Sequence, residues 1–260
     1  MERSDLGDRM KRYESVSKTR LTNRTPVIIR IDGKAFHTFT RGLKKPFDDI
    51  LIEAMQDTMK FLCENIQGCV LGYTQSDEIS LLLVDYKNLN SCAWFDNEVQ
   101  KICSVAASMA TLRFNRIFRS LATAYRYEYE DDDNQWNYLD RLKMAMGEGA
   151  MFDARCFNLP KEEVTNYFFW RQQDAERNSI NSVGFAFFSH QEMQNKNCGD
   201  VKEMLLLEKG IDWDEFQRMY QRGSCCIKHE EEGVSWWMID KDIPKFIKEG
   251  REYVDRYVFI

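Results

Sequence analysis

Apolar positions fall in two rhythms along the chain. Residues 26–32 form a β-branched run, Val27-Ile28-Ile29-Arg30-Ile31-Asp32, which ends on a carboxylate followed by Gly33 and predicts a buried strand. Leu51, Met55, Met59, Leu62 and Ile66 then recur at helical spacing, which predicts an amphipathic helix over residues 49–65 with Asp48 as its N-cap. Two more apolar runs, 69–75 and 79–85, flank polar Ser76-Asp77-Glu78 and read as a hairpin. A second long helix is predicted over 97–121, from the apolar face of Val99, Ile102, Ala106, Ala110, Phe114 and Ile117. The acidic tract 127–134 reads as a solvated loop. Residues 152–159 read as a fourth strand, and Pro160 heads a third helix running toward Phe188. Two short helices, 201–208 and 214–221, and a final hairpin, 224–229 with 234–240, complete the pattern, while residues 1–25 predict a short helix and an arm.

The order strand, helix, hairpin, helix, strand is that of a split β-α-β, ferredoxin-like unit. The expected fold is therefore α+β, an antiparallel βαββαβ sheet with helices on one face and a C-terminal helical and hairpin elaboration. One domain, 1–260, is expected, with its core over about 26–159 and the elaboration over about 160–260. In such a sheet the first strand and the hairpin are neighbours, which brings Asp32 toward Asp77.

Two acids at strand tips can share hard cations such as Mg²⁺, which take one or two carboxylates and complete their shell with water and phosphate oxygens. Gly33 allows close backbone approach to a ligand, and the amides from Gly33 to His37 can cradle a triphosphate as a nest. The plainer alternative is that Asp32 starts a turn and that Asp77 and Glu78 are solvated hairpin residues.

Composition narrows the function classes. Hydrophobic residues make up 43% and charged residues 30% of the 260, the balance of a soluble globular protein. No run approaches the roughly 18–20 apolar residues of a membrane span, and the start has no apolar signal region, so no membrane association and a cytoplasmic location are expected. The eight cysteines are scattered and the histidines number three, which disfavours a zinc site and predicts buried, reduced thiols. A net charge of −6 excludes nucleic-acid binding by global charge, so an RNA partner would be held by local basic patches. Arg113, Arg116 and Arg119 on the second helix, and Arg171, Arg177 and Asn178 on the third, are the candidates.

Arg30-Ile31-Asp32-Gly33-Lys34-Ala35-Phe36-His37, Lys45-Pro46-Phe47-Asp48, Tyr73-Thr74-Gln75-Ser76-Asp77-Glu78, Phe152-Asp153-Ala154-Arg155 and Trp170-Arg171-Gln172-Gln173-Asp174 together resemble the tRNA-His guanylyltransferase superfamily, including its guanylyltransferase-like members. The resemblance implies a polymerase-like palm that adds nucleotides to the 5′ end of tRNA, and a homotetramer. It implies that Asp32, Asp77 and the Gly33 carbonyl hold two Mg²⁺ ions, supported by Glu78. The amides of Gly33, Lys34, Ala35, Phe36 and His37, with Ser76, would bind GTP, ATP or another NTP, Lys45 would lie near its phosphates and Asp48 near its base. Where guanylyltransferases proper carry His-Ile-Asn-Asn-Leu-Tyr-Asn, this chain has Glu176-Arg177-Asn178-Ser179-Ile180-Asn181-Ser182. That departure favours the members that repair truncated 5′ ends by copying the opposite strand in the 3′-to-5′ direction. The alternatives are guanosine addition to tRNA-His alone, a nucleotide cyclase on the same fold, and a non-catalytic tRNA-binding module.

Overall fold

A computed structural model describes residues 5–260. Residues 1–4 of the expected N-terminal segment lie outside the described residues, and from Asp5 that segment forms helix α1 (Asp5–Ser15). The core elements follow as β1 (Val27–Gly33), the single turn α2 (Phe36–Phe39), α3 (Asp49–Asn65), β2 (Cys69–Gln75), β3 (Glu78–Leu83), α4 (Val99–Glu128), α5 (Trp136–Glu148) and β4 (Phe152–Asn158). Beyond them come α6 (Lys161–Phe187), α7 (His190–Met193), α8 (Cys198–Lys209), α9 (Arg218–Arg222), β5 (Ser224–Glu231), β6 (Val234–Asp240) and α10 (Glu252–Val258).

The six strands form one antiparallel sheet in the order β4-β1-β3-β2-β5-β6. The C-terminal hairpin is thus part of the sheet, through pairs such as Tyr73 with Cys225. Successive strand side chains point to opposite faces. Ile29 and Ile31 of β1 pack with Met55 and Met59 of α3 and with Ala106, Ala110 and Phe114 of α4. Ile28, Leu82 of β3 and Tyr73 of β2 pack on the other side with Val164 and Phe168 of α6 and with Val254 and Val258 of α10.

Helices therefore cover both faces, rather than the one face expected. The central strands are apolar on both sides, and a sheet so built has to be covered twice to remove that surface from water. A third cluster, Ile180, Val183, Val201, Leu205 and Trp213, seats α8 against the far half of α6.

Three element boundaries differ from expectation. The helix expected to stop at residue 121 continues through buried Ala122 to Glu128. After it comes α5, which the sequence pattern did not reveal: only Leu139, Leu142 and Ala145 are buried, and Trp136 and Met144 of the same helix are exposed. The helix expected over 214–221 is broken, because the Asp212 carboxylate accepts from the Asp214 amide and leaves a short 3₁₀ turn before α9.

All eight cysteines are free thiols, but only Cys63, Cys225 and Cys226 are buried, and Cys92 is exposed. Among the described residues no helix is long and apolar enough to cross a membrane.

Phe114 is fully buried, with the rings of Phe36, Phe39, Phe118 and Phe152 at centroid distances of 5.3–5.7 Å. Phe114→Ala is expected to cost about 3–5 kcal/mol of stability, read as a fall in the urea midpoint at unchanged slope.

Candidate functional site

The alternation that buries Ile29 and Ile31 under α3 and α4 sends Arg30 and Asp32 to the α6 face. On β3 the same alternation sends Ile79 and Leu81 one way, and Glu78, Ser80 and Leu82 the other. Antiparallel pairing places Asp32 opposite Glu78, so the two-residue turn Ser76-Asp77 stands beside the end of β1. The Gly33 amide donates to the Asp77 carbonyl at 3.1 Å.

Gly33 is there because nothing larger fits. A Cβ at this position would come 2.3 Å from the Phe36 ring and 2.9 Å from the Asp77 carboxylate. The Asp77 carboxylate accepts from the Ser76 hydroxyl at 3.0 Å. Burial raises its pKa; the Ser76 hydrogen bond opposes that rise and the neighbouring Asp32 charge adds to it.

Asp32 has the Arg30 guanidinium at 3.4 Å and that of Arg155 at 3.8 Å. Arg155 is also paired with Asp153 at 3.0 Å, the structural ion pair its strand position offers.

Glu78 lies deeper. It is 4% exposed and sits between Arg30 at 3.1 Å and Arg171 at 2.7 Å. Burial raises its pKa, while the two guanidiniums oppose that rise. Arg171 continues to Asp174 at 2.8 Å, and Asp174 also pairs with Arg177. An unbroken series of ion pairs thus runs from Asp32 through the sheet into α6.

The expected phosphate nest is narrower than five amides. The Gly33 amide is taken by Asp77 and the Lys34 amide by the Met151 carbonyl at 2.8 Å, because both lie where β1 leaves its neighbouring strands. Ala35, Phe36 and His37 remain, with amides that have no acceptor among the described residues, and Ala35 adopts a left-handed conformation at φ 51° that turns the chain. Lys34, Ala35 and His37 are exposed while the Phe36 ring is buried as an anchor.

Asp48 caps α3 through the Leu51 amide at 3.0 Å, and it also accepts from the Lys44 amide at 3.0 Å and the Tyr138 hydroxyl at 2.7 Å. Both of its oxygens are in use. This carboxylate straps the 44–48 loop down rather than standing free. The Lys44 ammonium lies 4.4 and 4.6 Å from the ring centroids of Tyr125 and Tyr138, and Lys45 remains exposed.

That loop walls a cavity of about 490 Å³. Leu51 and Met55 of α3, Gln75 and Ser76 at the hairpin tip, and Asn178, Ser179 and Ser182 of α6 complete it. Phe47 stacks on Tyr220 at 4.7 Å in its lining. Its volume is that of a small-molecule pocket; Ser76, the residue before Asp77, lines it, while Asp32, Gly33 and Asp77 themselves do not.

The candidate RNA contacts separate. Arg113 is 2.5 Å from Asp57 and lies over the Phe61 ring, joining α4 to α3. Arg116 and Arg119 are exposed. Arg177 is exposed but paired with Asp174. Arg171 is only 5% exposed and is committed to Glu78 and Asp174, so it holds the site together from within and does not face RNA. Sequence reasoning passed over Arg30 and Arg171 as partners of Glu78. A charged residue in the middle of the apolar run 27–31 was the available signal.

No group of three or more His, Cys, Asp or Glu side chains converges on a metal position among the described residues. Two carboxylates and a carbonyl beside an open pocket are instead the donor set of a hard cation that obtains its remaining oxygens from substrate and water.

Removing Arg171 leaves Glu78 buried without its closest partner, so Arg171→Ala is expected to lose about 3–5 kcal/mol, measured by chemical denaturation. Asp77 binds its proton more tightly folded than unfolded, so its ionisation subtracts stability as pH rises above the ordinary aspartate range. Asp77→Asn is accordingly expected to melt higher than the parent at neutral pH without divalent cations. Thermal melts at a pH below that range should show the difference gone.

Comparison with known proteins gives a consistent answer. Residues 7–160 match the model of the tRNAHis guanylyltransferase (Thg1) family. Relatives include an uncharacterised protein of Acanthamoeba polyphaga mimivirus, 28% identical over 86% of this chain and 77% of that protein. Another is the tRNA(His) guanylyltransferase of Debaryomyces hansenii, 27% identical over 78% of this chain and 74% of that protein. A bacterial Thg1-like protein solved with ATP superposes with a TM-score of 0.82 at 43% identity, covering 98% of this chain and 99% of that one. A bacterial Thg1-like protein solved with GTP gives 0.79 at 40% identity, covering 99% and 100%. By fold and by sequence the chain belongs to the tRNAHis guanylyltransferase family, whose members are nucleotidyltransferases acting on tRNA.

Proposed function

We propose that this protein extends the 5′ end of tRNA in the 3′-to-5′ direction, repairing truncated ends by copying the opposite strand. The observation that carries this reading is the juxtaposition of Asp32 and Asp77 around Gly33, one residue from Ser76 in the wall of a cavity of nucleotide size. The strand order β4-β1-β3-β2 around the two α-helical crossovers fits a polymerase palm. The two solved Thg1-like proteins, one with ATP and one with GTP, support a nucleoside triphosphate as the occupant.

Asp32, Asp77 and the Gly33 carbonyl would hold Mg²⁺, which when bound neutralises charge on the reacting phosphate and draws a hydroxyl toward deprotonation. Arg30 and Arg155 hold the Asp32 carboxylate in place, and the Ser76 hydroxyl does the same for Asp77. The amides of Ala35, Phe36 and His37 donate to triphosphate oxygens, with Lys45 as a mobile positive charge at the mouth. Leu51, Met55 and the Phe47–Tyr220 pair enclose the base, and Asn178 offers it an amide.

The reaction has two in-line steps. An oxygen of the tRNA 5′-monophosphate attacks the α-phosphorus of ATP or GTP and pyrophosphate leaves. The 3′-hydroxyl of a second nucleotide then attacks the activated 5′ phosphorus, and the nucleoside monophosphate, or pyrophosphate where the activated end is a triphosphate, leaves. Little covalent chemistry falls to the protein, and positioning carries the rate.

The tRNA substrate follows from α6. With Ser179 and Ser182 where guanylyltransferases proper carry asparagines, the α6 side of the cavity presents small side chains at those two positions. Base pairing with the template then selects the nucleotide, and the protein needs to hold only shape and backbone.

Labelled nucleotide should enter 5′-phosphorylated, 5′-truncated tRNAs of several species in the presence of Mg²⁺, and EDTA should stop it. Asp32→Ala and Asp77→Ala should stay folded and lose several orders of magnitude in turnover. Full activity in either folded variant, or incorporation confined to full-length tRNA-His, would defeat this reading.

A further inference from the structure

A second cleft, of about 550 Å³, opens between α9 and the segment 241–245 after β6. It lies on the far side of α9 from the nucleotide cavity. Met219, Tyr220 and Gly223 border the first cavity, and Arg218, Gln221 and Arg222 border the second, which is the division that helical periodicity imposes on a single turn.

Arg222 forms its floor. The side chain is 5% exposed, Nη2 donates to the Gln221 side-chain oxygen at 2.9 Å, and the buried Nε faces the Glu176 carboxylate at 3.8 Å, beyond hydrogen-bond reach. Gln221 is itself fixed by donating to the Trp213 and Asp214 carbonyls, both at 3.0 Å. The guanidinium is therefore held in one orientation, and its nearest acid, Glu176, is 3.8 Å away. Burial, reinforced by the like charge of Arg218 and opposed by Glu176, holds the Arg222 pKa below the ordinary arginine value.

The charges around the floor do not cancel. Arg218 is paired with Asp242 at 2.8 Å, and Asp214 is engaged by Lys202 at 2.5 Å. The single negative charge of Glu176 is shared between Arg222 and Lys245, the latter at 3.0 Å. Lys241 is exposed and has no ion pair among the described residues. Two positive charges are left facing one cleft, one of them sunk where water screens it poorly.

We propose that this cleft is a phosphate-binding site, with Arg222 as its fixed floor and Lys241 and Lys245 as its rim, that takes a phosphate of an RNA backbone or of a free phosphate compound. A fixed guanidinium charge with ammonium groups beside it suits phosphate oxygens, and an excess of two charges exceeds what one carboxylate neutralises. The backbone source rests on the tRNA reading above; the chemistry of the cleft does not. An RNA phosphate seated here lies behind α9, whose other face walls the nucleotide cavity. The Arg222 carbonyl accepts from the Tyr73 hydroxyl at 2.8 Å, so α9 is tied to the strand that leads into Ser76 and Asp77.

The test compares the wild type, Lys241→Glu and Arg222→Gln in two measurements. One is fluorescence anisotropy of a 5′-truncated tRNA across a salt series, and the other is calorimetric titration with inorganic phosphate. Lys241→Glu is expected to weaken tRNA binding about tenfold and to reduce the salt slope by about one. Weakened tRNA binding in the variants assigns the site to an RNA phosphate. Unchanged tRNA binding with lost inorganic phosphate binding assigns it to a free phosphate compound. If both ligands bind a normally melting Lys241→Glu as they bind the wild type, the proposal is overturned. Should Arg222→Gln fail to fold, the exposed Lys241 decides alone. Nucleotide incorporation by the wild type, measured in parallel, separates this outcome from that of the catalytic reading.

Discussion

The carboxylate of Glu78, sunk between Arg30 and Arg171, is the constraint on which the site's geometry rests. Three charges taken from water carry a large desolvation cost, which only close and mutual pairing offsets. The arrangement is accordingly intolerant of any other register. A one-residue slip of β1 against β3 would turn Arg30 into the apolar layer of Met55, Met59 and Phe114 and leave Glu78 buried without it. With the register held, Asp32 stands opposite Glu78 on β3 and Asp153 on β4, and the turn carrying Asp77 must lie beside Gly33. The distance between the two candidate metal ligands is thus governed by an ion pair that need not touch substrate.

Around that fixed point the backbone adopts conformations it would avoid elsewhere. Ala35 and Ser76 have φ of 51° and 50°, in the left-handed region, and both lie in the loops that face the proposed triphosphate. Such positions persist only where the surroundings over-determine them. Here the surroundings are the Phe36 ring, locked among Phe39, Phe114 and Phe152, and the antiparallel pairing that delivers the hairpin tip. On the opposite side of the cavity Asp48 binds the 44–48 loop through three hydrogen bonds. Both walls are set before any ligand arrives, which lowers the ordering cost of binding.

Much of this was legible in the sequence because it depends on periodicity. The strand ending at Asp32, the helix over 49–65 with its Asp48 cap and the hairpin with its acidic bend each show one rhythm and one punctuation mark. What stayed hidden depends on contacts between distant segments. Helix α5 buries only three side chains and exposes Trp136, so its apolar stripe is too thin to read. The second helical layer follows from strands that are apolar on both faces, yet nothing local in 161–187 shows which face it will cover. Arg171 read as surface because arginine on a helix usually is; its partner, Glu78, lies 93 residues away. Two of the five expected nest amides were lost for the same reason, being spent on the carbonyls of Asp77 and Met151.

The segment 176–182 shows how one helix serves two neighbourhoods. Asn178, Ser179 and Ser182 line the cavity proposed for the nucleotide, while Glu176, rotated away by the helical repeat, pairs with Lys245 and approaches Arg222 at the basic cleft. A change of residue type in this segment therefore acts at both places together. Small side chains toward the cavity relax the fit around a base. An acid toward the cleft tempers the positive field without cancelling it, so affinity there stays sensitive to a single added charge. Under the reading proposed here, recognition passes from particular bases to the shape and charge of the RNA, and an enzyme that takes its instructions from a template strand requires that division of labour.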